Sequence, residues 1–321
     1  MKKLFLLINL FLLLGTQVVG AQSIYPDKPI RMVIAFPPGG PTDLVARVLA
    51  QKVSEQIGQQ VVVDNKPGAN GNIAAEVVSK SPADGYTIFY NTSAIALSPA
   101  LYKKLAYDVS KDFSPVLLSA VIPLVLVVHP SLPVKNLKEF VAYVKAHPDK
   151  LSYGSAGNGN ITHLGAFQIL QSQGLKATHV PYRGSSPALT DLAAGQTQFM
   201  TDTINSALPF IKDGRMRAIA VTSLERSKVL PDVPTINESL VKGFEVGAWQ
   251  GVLVPTKTPP EVVKFLNAQF NKALNSSDVR ARLSIQGTMP LGSTSEQYGA
   301  YIQSEIKRWS VLVNQTGASL E

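Results

Sequence analysis

The sequence predicts an α/β protein of two domains that are joined by two crossings of the chain. Short runs of β-forming residues alternate with amphipathic helical patterns after residue 21. The alternation falls into two βα-repeating halves, with apolar strand-like runs at 121–128 and 247–254 as the crossings. A chain of 321 residues, 45% hydrophobic and 16% charged, is long enough for about two globular domains and too apolar to be mainly disordered.

The first half opens as a βαβαβ unit. Its helical pattern is amphipathic, since Leu44, Val45, Val48, Leu49 and Val53 share one face. Such a unit predicts a mostly parallel sheet with right-handed crossovers. The predicted strands are 30–36, 61–64 and 86–90, and the predicted helices are 42–57 and 73–80.

The second half repeats the alternation, and three helices close the chain. We expect those three helices to return and pack on the first domain, so that domain 1 comprises residues 22–122 plus 230–321 and domain 2 comprises residues 123–229. The predicted strands are 151–155, 177–180, 198–201 and 217–222. The predicted helices are 137–146, 162–173, 186–194, 260–275, 278–284 and 295–313.

Residues 1–21 have the pattern of a signal peptide. Lys2 and Lys3 precede an apolar run at 4–14 that only Asn9 interrupts, and small residues end at Ala21, where we place the cut. The alternative is a membrane anchor, but the apolar run is shorter than the roughly 20 residues that span a bilayer. Because the chain has no cysteine, a lipid anchor on cysteine is excluded. We expect an exported protein, periplasmic in a Gram-negative cell.

The composition excludes several kinds of site. The absence of cysteine removes disulfides, cysteine-bound zinc, iron–sulfur clusters and thiol nucleophiles. Four histidines leave little for a multi-histidine metal centre, so we predict no metal and no cofactor. The formal net charge is +8, but lysine and arginine are scattered along the chain, which is typical of solvated surface, and no nucleic-acid partner is predicted.

Three strand-to-helix turns carry the candidate binding chemistry, at residues 36–43, 154–163 and 181–186. Each combines glycine and small hydroxyl residues with the start of a helix. Glycine lets backbone N–H groups approach a ligand, and the first turn of a helix has unpaired N–H donors at its positive end. Turns that converge on one cleft would bind a carboxylate. The alternative is that they are ordinary glycine-rich turns with capping residues.

Enzyme motifs are absent. The glycines of 154–159 match neither a nucleophile elbow nor the dinucleotide-binding pattern, and the chain has no P-loop. His163 and Asp43 each lie at a predicted helix start. Either could act as a base, but capping or hydrogen bonding is the simpler explanation for His163, and electrostatics at the helix end is the simpler one for Asp43. Asp202 follows a strand and could contact a ligand or cap a turn. Arg183 could hold a carboxylate bidentately, or it could brace a turn or the interdomain surface.

Taken together, six segments resemble the Bug family, the extracytoplasmic solute-binding receptors of tripartite tricarboxylate transporters. They follow in the family's order across essentially the whole mature chain. The segments are FPPGGPTD at 36–43, NKPGANGN at 65–72, DGYT at 84–87, YGSAGNG at 153–159, PYRG at 181–184 and LPDVPT at 230–235.

The resemblance implies a two-domain periplasmic-binding-protein fold, type II-like, that closes on a small organic acid. The acid would be a di- or tricarboxylate, an aromatic carboxylate or an acidic amino acid. It would be held by backbone N–H groups, hydroxyls and waters rather than by an arginine. Membrane permease components would be the partners of a monomeric, non-catalytic receptor. The implied contacts are Phe36, Gly40, Thr42, Asp43, Thr92, Ser93 and Ala94 in domain 1, and Ser155, Gly157, Asn158, Thr162 and Asp202 in domain 2.

Three segments depart from the family's pattern near the expected pocket. Residues 69–71 read Ala-Asn-Gly where the family often has a further glycine, residues 97–99 read Leu-Ser-Pro, and residues 200–203 read Met-Thr-Asp-Thr. They leave the identity of the ligand open. The sequence also leaves open whether the protein serves transport, a membrane sensor kinase or, as a further alternative, hydrolase or lyase chemistry.

Overall fold

The structure of the protein is a computed structural model that describes residues 25–317 and residue 320. The predicted signal peptide at 1–21 lies outside the described residues and stays a prediction. Among the helices of the described part, none is long and apolar enough to cross a membrane.

The chain opens with three parallel strands in the order β2-β1-β3. The strands are β1 (Ile30–Ile34), β2 (Val61–Asn65) and β3 (Thr87–Thr92), and the helices between them are α1 (Pro41–Ile57) and α2 (Asn72–Ser79). A short 3₁₀ turn at Ala69–Gly71 precedes α2. The predicted βαβαβ unit is therefore confirmed, with element ends that shift by one or two residues.

A long strand, β4 (Phe113–Val128), connects the two sets of strands. Its residues 113–123 pair antiparallel with β9 (Gly247–Pro255), which also pairs with β3, whereas residues 124–128 pair with later strands. Two helices lie between β3 and β4, namely α3 (Ala94–Leu101) and α4 (Val109–Asp112), and the sequence did not indicate either.

Past β4, the chain forms a second set of alternating elements. Strands β5, β6 and β7 are parallel, and β7 and β8 pair antiparallel with the end of β4. The elements are α5 (Leu137–Ala146), β5 (Ser152–Ser155), α6 (Ile161–Ser172), β6 (Thr178–Pro181), α7 (Ser185–Ala193), β7 (Phe199–Thr203), α8 (Ile204–Lys212), β8 (Arg217–Val221) and α9 (Ile236–Ser239).

We name the two sets by their strands. The first half-sheet consists of β1, β2, β3, β9, β10 and residues 113–123 of β4, and the second consists of β5 to β8 and residues 124–128 of β4. The predicted α/β class is confirmed, and the crossing strands β4 and β9 add antiparallel pairs to the parallel units. The closing elements are α10 (Pro260–Asn275), α11 (Ser277–Ser284), β10 (Met289–Pro290) and α12 (Ser295–Thr316).

The closing helices pack mainly on the first half-sheet. Helix α10 contacts β4 and α1, and α12 contacts β4 and α3. Helix α12 also reaches α6 of the second half-sheet, where Gln171 donates a 3.0 Å hydrogen bond to Gln315. Residues 230–246 pack with the second half-sheet, since Leu230 joins the cluster around Val125 and α9 contacts α5.

Candidate functional site

All three glycine-rich turns line one cavity of about 540 Å³ between the two half-sheets. The first turn contributes residues 36–42, the second Ala156 and residues 160–162, and the third residues 183–187. They meet because the carboxyl ends of parallel strands lie at one edge of a sheet, where each loop leads into the next helix.

Five helices begin at this cavity, and the residue that caps each of them lines it. The helices are α1, α3, α6, α7 and α8, and the capping residues are Gly40, Ser93, Asn160, Gly184 and Thr203. Only Asn160 among them caps its helix with a side-chain hydrogen bond. The first turns of the other helices therefore retain N–H donors for further partners, at their positive dipole ends.

The first half-sheet supplies most of its expected residues to the cavity wall. The lining residues among them are Phe36, Gly40, Thr42, Thr92, Ser93 and Ala94. Asp43 lies behind the wall, where its carboxylate accepts hydrogen bonds from Gly39, Arg47 and Asn65 at 2.8–3.0 Å. Burial alone would raise the pKa of Asp43, but these hydrogen bonds outweigh burial and lower it. Asp43 therefore holds the turn in shape.

In the second half-sheet, the expected residues divide between the wall and the layer behind it. Thr162 lines the cavity, together with Ala156, Asn160 and Ile161. Ser155, Gly157 and Asn158 are not on the wall. The buried Ser155 hydroxyl pairs with His179 Nε2 at 2.7 Å and donates to the Gly157 carbonyl at 3.1 Å, so that it shapes the loop.

Asp202 is fully buried behind the start of α7. Its Oδ1 accepts hydrogen bonds from the Ser185 hydroxyl at 2.9 Å and from the Thr203 amide at 2.6 Å, whereas its Oδ2 has no partner among the described residues. Burial raises the pKa of Asp202 to about 6 despite those bonds. Because Ser185 lines the cavity, Asp202 touches the site through this hydroxyl.

Arg183 is the single charged residue among the described residues that line the cavity, and none of these is acidic. Its side chain is exposed and makes no hydrogen bond or ion pair with the described residues. The charge on this wall is thus positive. The sequence left open whether Arg183 touches a ligand, and the structure places it where it can.

His163, also left open by the sequence, lies behind the wall. Its Nδ1 accepts a 3.1 Å hydrogen bond from the Gly159 amide, and its ring stacks on His179 with centroids 3.7 Å apart. Burial, followed by the proximity of His179, lowers the pKa of His163 to about 3, and burial lowers the pKa of His179 to about 4. Both rings are neutral at ordinary pH and support the loop that carries Asn160.

Several wall residues were missed in the sequence. Gln250 of β9 is buried and accepts a 2.9 Å hydrogen bond from the Tyr90 hydroxyl. A polar residue within an otherwise apolar strand was the sequence feature that could have identified it. The residues of α8 were missed because that helix was not predicted. The missed lining residues include Asn70, Thr203, Asn205, Ser206, Phe210, Ala248 and Gln250. Within the described part of the chain, no group of three or more His, Asp or Glu residues is placed to hold a metal.

Comparison with known proteins identifies the family. Residues 45–318 match the model of the tripartite tricarboxylate transporter family receptor. The chain is 35% identical to protein BugT of Bordetella pertussis over 324 residues, which cover 100% of this chain and 99% of that protein. The chain belongs to this receptor family. The receptor is thus a solute-binding protein rather than an enzyme, as predicted, and the predicted resemblance to Bug proteins is confirmed.

Three solved structures share the fold at substantial identity. Rpa4515 of R. palustris with adipate is 36% identical, with a TM-score of 0.85 over 91% of this chain and 98% of that one. MatC of Rhodopseudomonas palustris with bound malate is 36% identical, with a TM-score of 0.81 over 90% of this chain and 100% of that one. The periplasmic binding protein BugD is 35% identical, with a TM-score of 0.83 over 92% of this chain and 100% of that one, which confirms the predicted periplasmic-binding-protein fold.

Proposed function

We propose that the receptor captures a small carboxylate in the cavity between the half-sheets and delivers it to the permease components of a tripartite carrier. One observation carries the proposal: five helix N-termini, drawn from both half-sheets, meet at a cavity whose described lining residues include no acidic side chain. Unpaired amides and positive dipole ends stabilise an anion without a full cationic charge.

The chemistry of the wall favours a dicarboxylate. Hydroxyls of Thr42 and Ser93 can donate to one carboxylate beside the helix ends, and Arg183 can attract another group of the ligand. Apolar side chains of the wall, such as Leu97 and Phe210, suit the methylene spacer. The related proteins with adipate and malate bind dicarboxylates of this kind. Direct contact with the ligand is proposed for the expected residues that line the cavity, whereas the others support the wall from behind. The lining residues are Phe36, Gly40, Thr42, Thr92, Ser93, Ala94 and Thr162.

Capture would involve closure of two domains. We propose the division expected from the sequence, residues 22–122 plus 230–321 and residues 123–229, with β4 and β9 as the hinge crossings and with residues 230–246 as the one exception. Because residues 230–246 pack with the second half-sheet, we place the return crossing at the start of β9. A ligand that touches both domains stabilises the closed state by its differential affinity.

We also propose the cellular location of the receptor and its partners. Removal of residues 1–21 would release a periplasmic monomer without a lipid anchor, because the chain has no cysteine to carry one. Its permease partners would bind the closed form.

A charge substitution at the wall tests the proposal. Ser186 is exposed in the first turn of α7 and lines the cavity. An aspartate at position 186 is stabilised by the positive end of the helix dipole, so it should not impair folding, but its charge repels a bound anion. Asparagine has nearly the same shape as aspartate and carries no charge. We expect adipate or malate to raise the thermal midpoint of the wild type and of Ser186→Asn, and Ser186→Asp to bind about tenfold or more weakly by calorimetry. Equal binding of adipate and its neutral diamide would refute an anion site.

A further inference from the structure

Across the cavity, a hydrogen bond between two side chains joins the two half-sheets directly. Asn160 Nδ2, at the start of α6, donates to Asn70 Oδ1, in the 3₁₀ turn before α2, at 3.3 Å. Both residues line the cavity. We propose that Asn70 and Asn160 form a latch that favours the closed arrangement of the two half-sheets and thereby positions the helix ends for capture.

The Asn70 side of the latch is held rigidly. Asn70 has φ 52° and ψ 32°, the left-handed region that glycine adopts most easily and asparagine tolerates. The turn is fixed by Asn72, whose Oδ1 accepts hydrogen bonds from Ser98 at 2.7 Å and Tyr107 at 2.6 Å. The family that the sequence resembles often has a further glycine in this loop. Asparagine keeps the backbone conformation and adds a side chain that reaches the other half-sheet.

The Asn160 side is oriented by its role as a helix cap. Its Oδ1 accepts hydrogen bonds from the amide of Thr162 at 3.1 Å and from the Thr162 hydroxyl at 3.2 Å. Because the oxygen is engaged with α6, the Nδ2 of the same amide is directed to other partners. One side chain therefore fixes the start of α6 and bonds to the opposite half-sheet.

A close approach beside the latch shows that the half-sheets meet tightly here. Gly159 packs against Leu101 of α3, and a Cβ atom on Gly159 would lie 2.3 Å from the nearest Leu101 methyl carbon. A Cβ atom at 159 would therefore fit only if the Leu101 side chain moved, and the φ of 68° at Gly159 also favours glycine. The Asn70–Asn160 bond thus depends on an arrangement in which the turn before α2 and the loop before α6 are in contact.

The role of the latch in capture rests on the proposed function. A bond that exists only in the closed arrangement raises the population of that arrangement and lowers the apparent dissociation constant by the same factor. A neutral amide hydrogen bond of this length corresponds to about a two- to fivefold change.

Two single variants and their combination test the latch. Asn70→Gly keeps the left-handed backbone and removes the side chain, and Asn160→Ser keeps a helix cap but cannot reach Asn70. The chain has no cysteine, so cysteines placed at the exposed Lys264 and Lys176, one on each side, can carry a fluorophore pair. Single-molecule energy transfer then reports the distance between the sides without added ligand.

We expect both single variants to shift the distance distribution toward separation to the same extent, and the double variant to shift it no further. Gly159→Ala, which forces a Cβ against Leu101, serves as the positive control for separation. An unchanged distribution in either single variant, or additive shifts in the double variant, would overturn the latch.

Adipate and malate titrations provide the second readout. Both single variants should raise the dissociation constant about two- to fivefold. If neither acid binds the wild type, the result counts against the proposed function, and the distance measurement still decides the latch.

Discussion

Trp249, on crossing strand β9, donates its indole N–H to the buried carboxylate of Glu305 on α12 at 3.0 Å. Trp309 donates to the same Glu305 oxygen at 2.7 Å, and Arg308 donates to the other oxygen at 3.3 Å. The Trp249 carbonyl in turn accepts a 2.9 Å hydrogen bond from the amide of Ser93, which caps α3 at the cavity. One acidic residue on the last helix thus anchors the strand that forms the floor of the site.

Glu305→Gln should destabilise the receptor. The amide keeps the shape but loses the charge that two indoles and Arg308 satisfy, and its NH₂ group can face an indole donor. We expect a loss of about 1–3 kcal/mol in the free energy of unfolding, measured by urea denaturation. The exposed Glu225→Gln, outside the helices, is the control and should stay within about 0.5 kcal/mol of the wild type. Equal stability of the two variants would contradict a supporting role for Glu305.

Asp202 should make the receptor less stable as the pH rises. Its pKa is about 6 in the folded protein and 3.8 ordinarily, so folding favours the protonated form. Stability from this group is complete below pH 4 and is lost as the pH rises through 6, by on the order of 2–3 kcal/mol. Asp202→Asn should remove that loss. Urea unfolding of the wild type and of Asp202→Asn between pH 4 and 7 measures this change in the free energy of unfolding. If that free energy changed with pH in the same way in both proteins, Asp202 would titrate normally.

The pair His163 and His179 should act in the opposite direction. Their pKa values fall from the ordinary 6.5 to about 3 and about 4, so the folded state binds fewer protons than the unfolded state. Their contribution is complete above pH 6.5 and is lost as the pH falls toward 4. His179→Gln retains a polar partner for Ser155 and removes one titrating ring. We expect its unfolding free energy to fall less steeply with acid, and an unchanged slope would contradict the assignment.

Arg183→Ala should weaken dicarboxylate binding without changing the thermal midpoint of the protein alone. Since Arg183 is exposed and unpaired among the described residues, its loss removes only attraction to the ligand. A solvent-exposed ion pair corresponds to about a two- to fivefold change in affinity. Calorimetric titration with adipate measures it. Lys176→Ala, an exposed cation outside the cavity wall, is the matched control, and equal effects of the two variants would assign the change to net charge.

Much of the secondary structure could be predicted from the hydrophobic periodicity of the sequence. Helix α5 begins and ends as predicted, and most other predicted elements differ by only one to three residues. The prediction was incomplete for β4, of which only 121–128 was recognised. Bulges near Pro115 and Ser119 interrupt the alternation there, and pairing with β9 rather than side-chain pattern makes these residues a strand. Helix α3 was missed because Pro99 lies inside it and because six of its eight residues are buried, which removes the amphipathic pattern.

The site was predicted as three turns, and each turn does reach the cavity. Periodicity and glycine content identify where a strand ends and a helix starts, so the sequence alone determined the α/β class, the family and the turns that bear amide donors. Which atoms of those turns face the cavity depends on contacts between residues far apart in the chain. Asp43 is hydrogen-bonded to Arg47 and Asn65, and Ser155 is hydrogen-bonded to His179. Asn70 is hydrogen-bonded to Asn160, which lies 90 residues later in the sequence. Only the packing of the two half-sheets brings such partners together, and it therefore decides the composition of the wall.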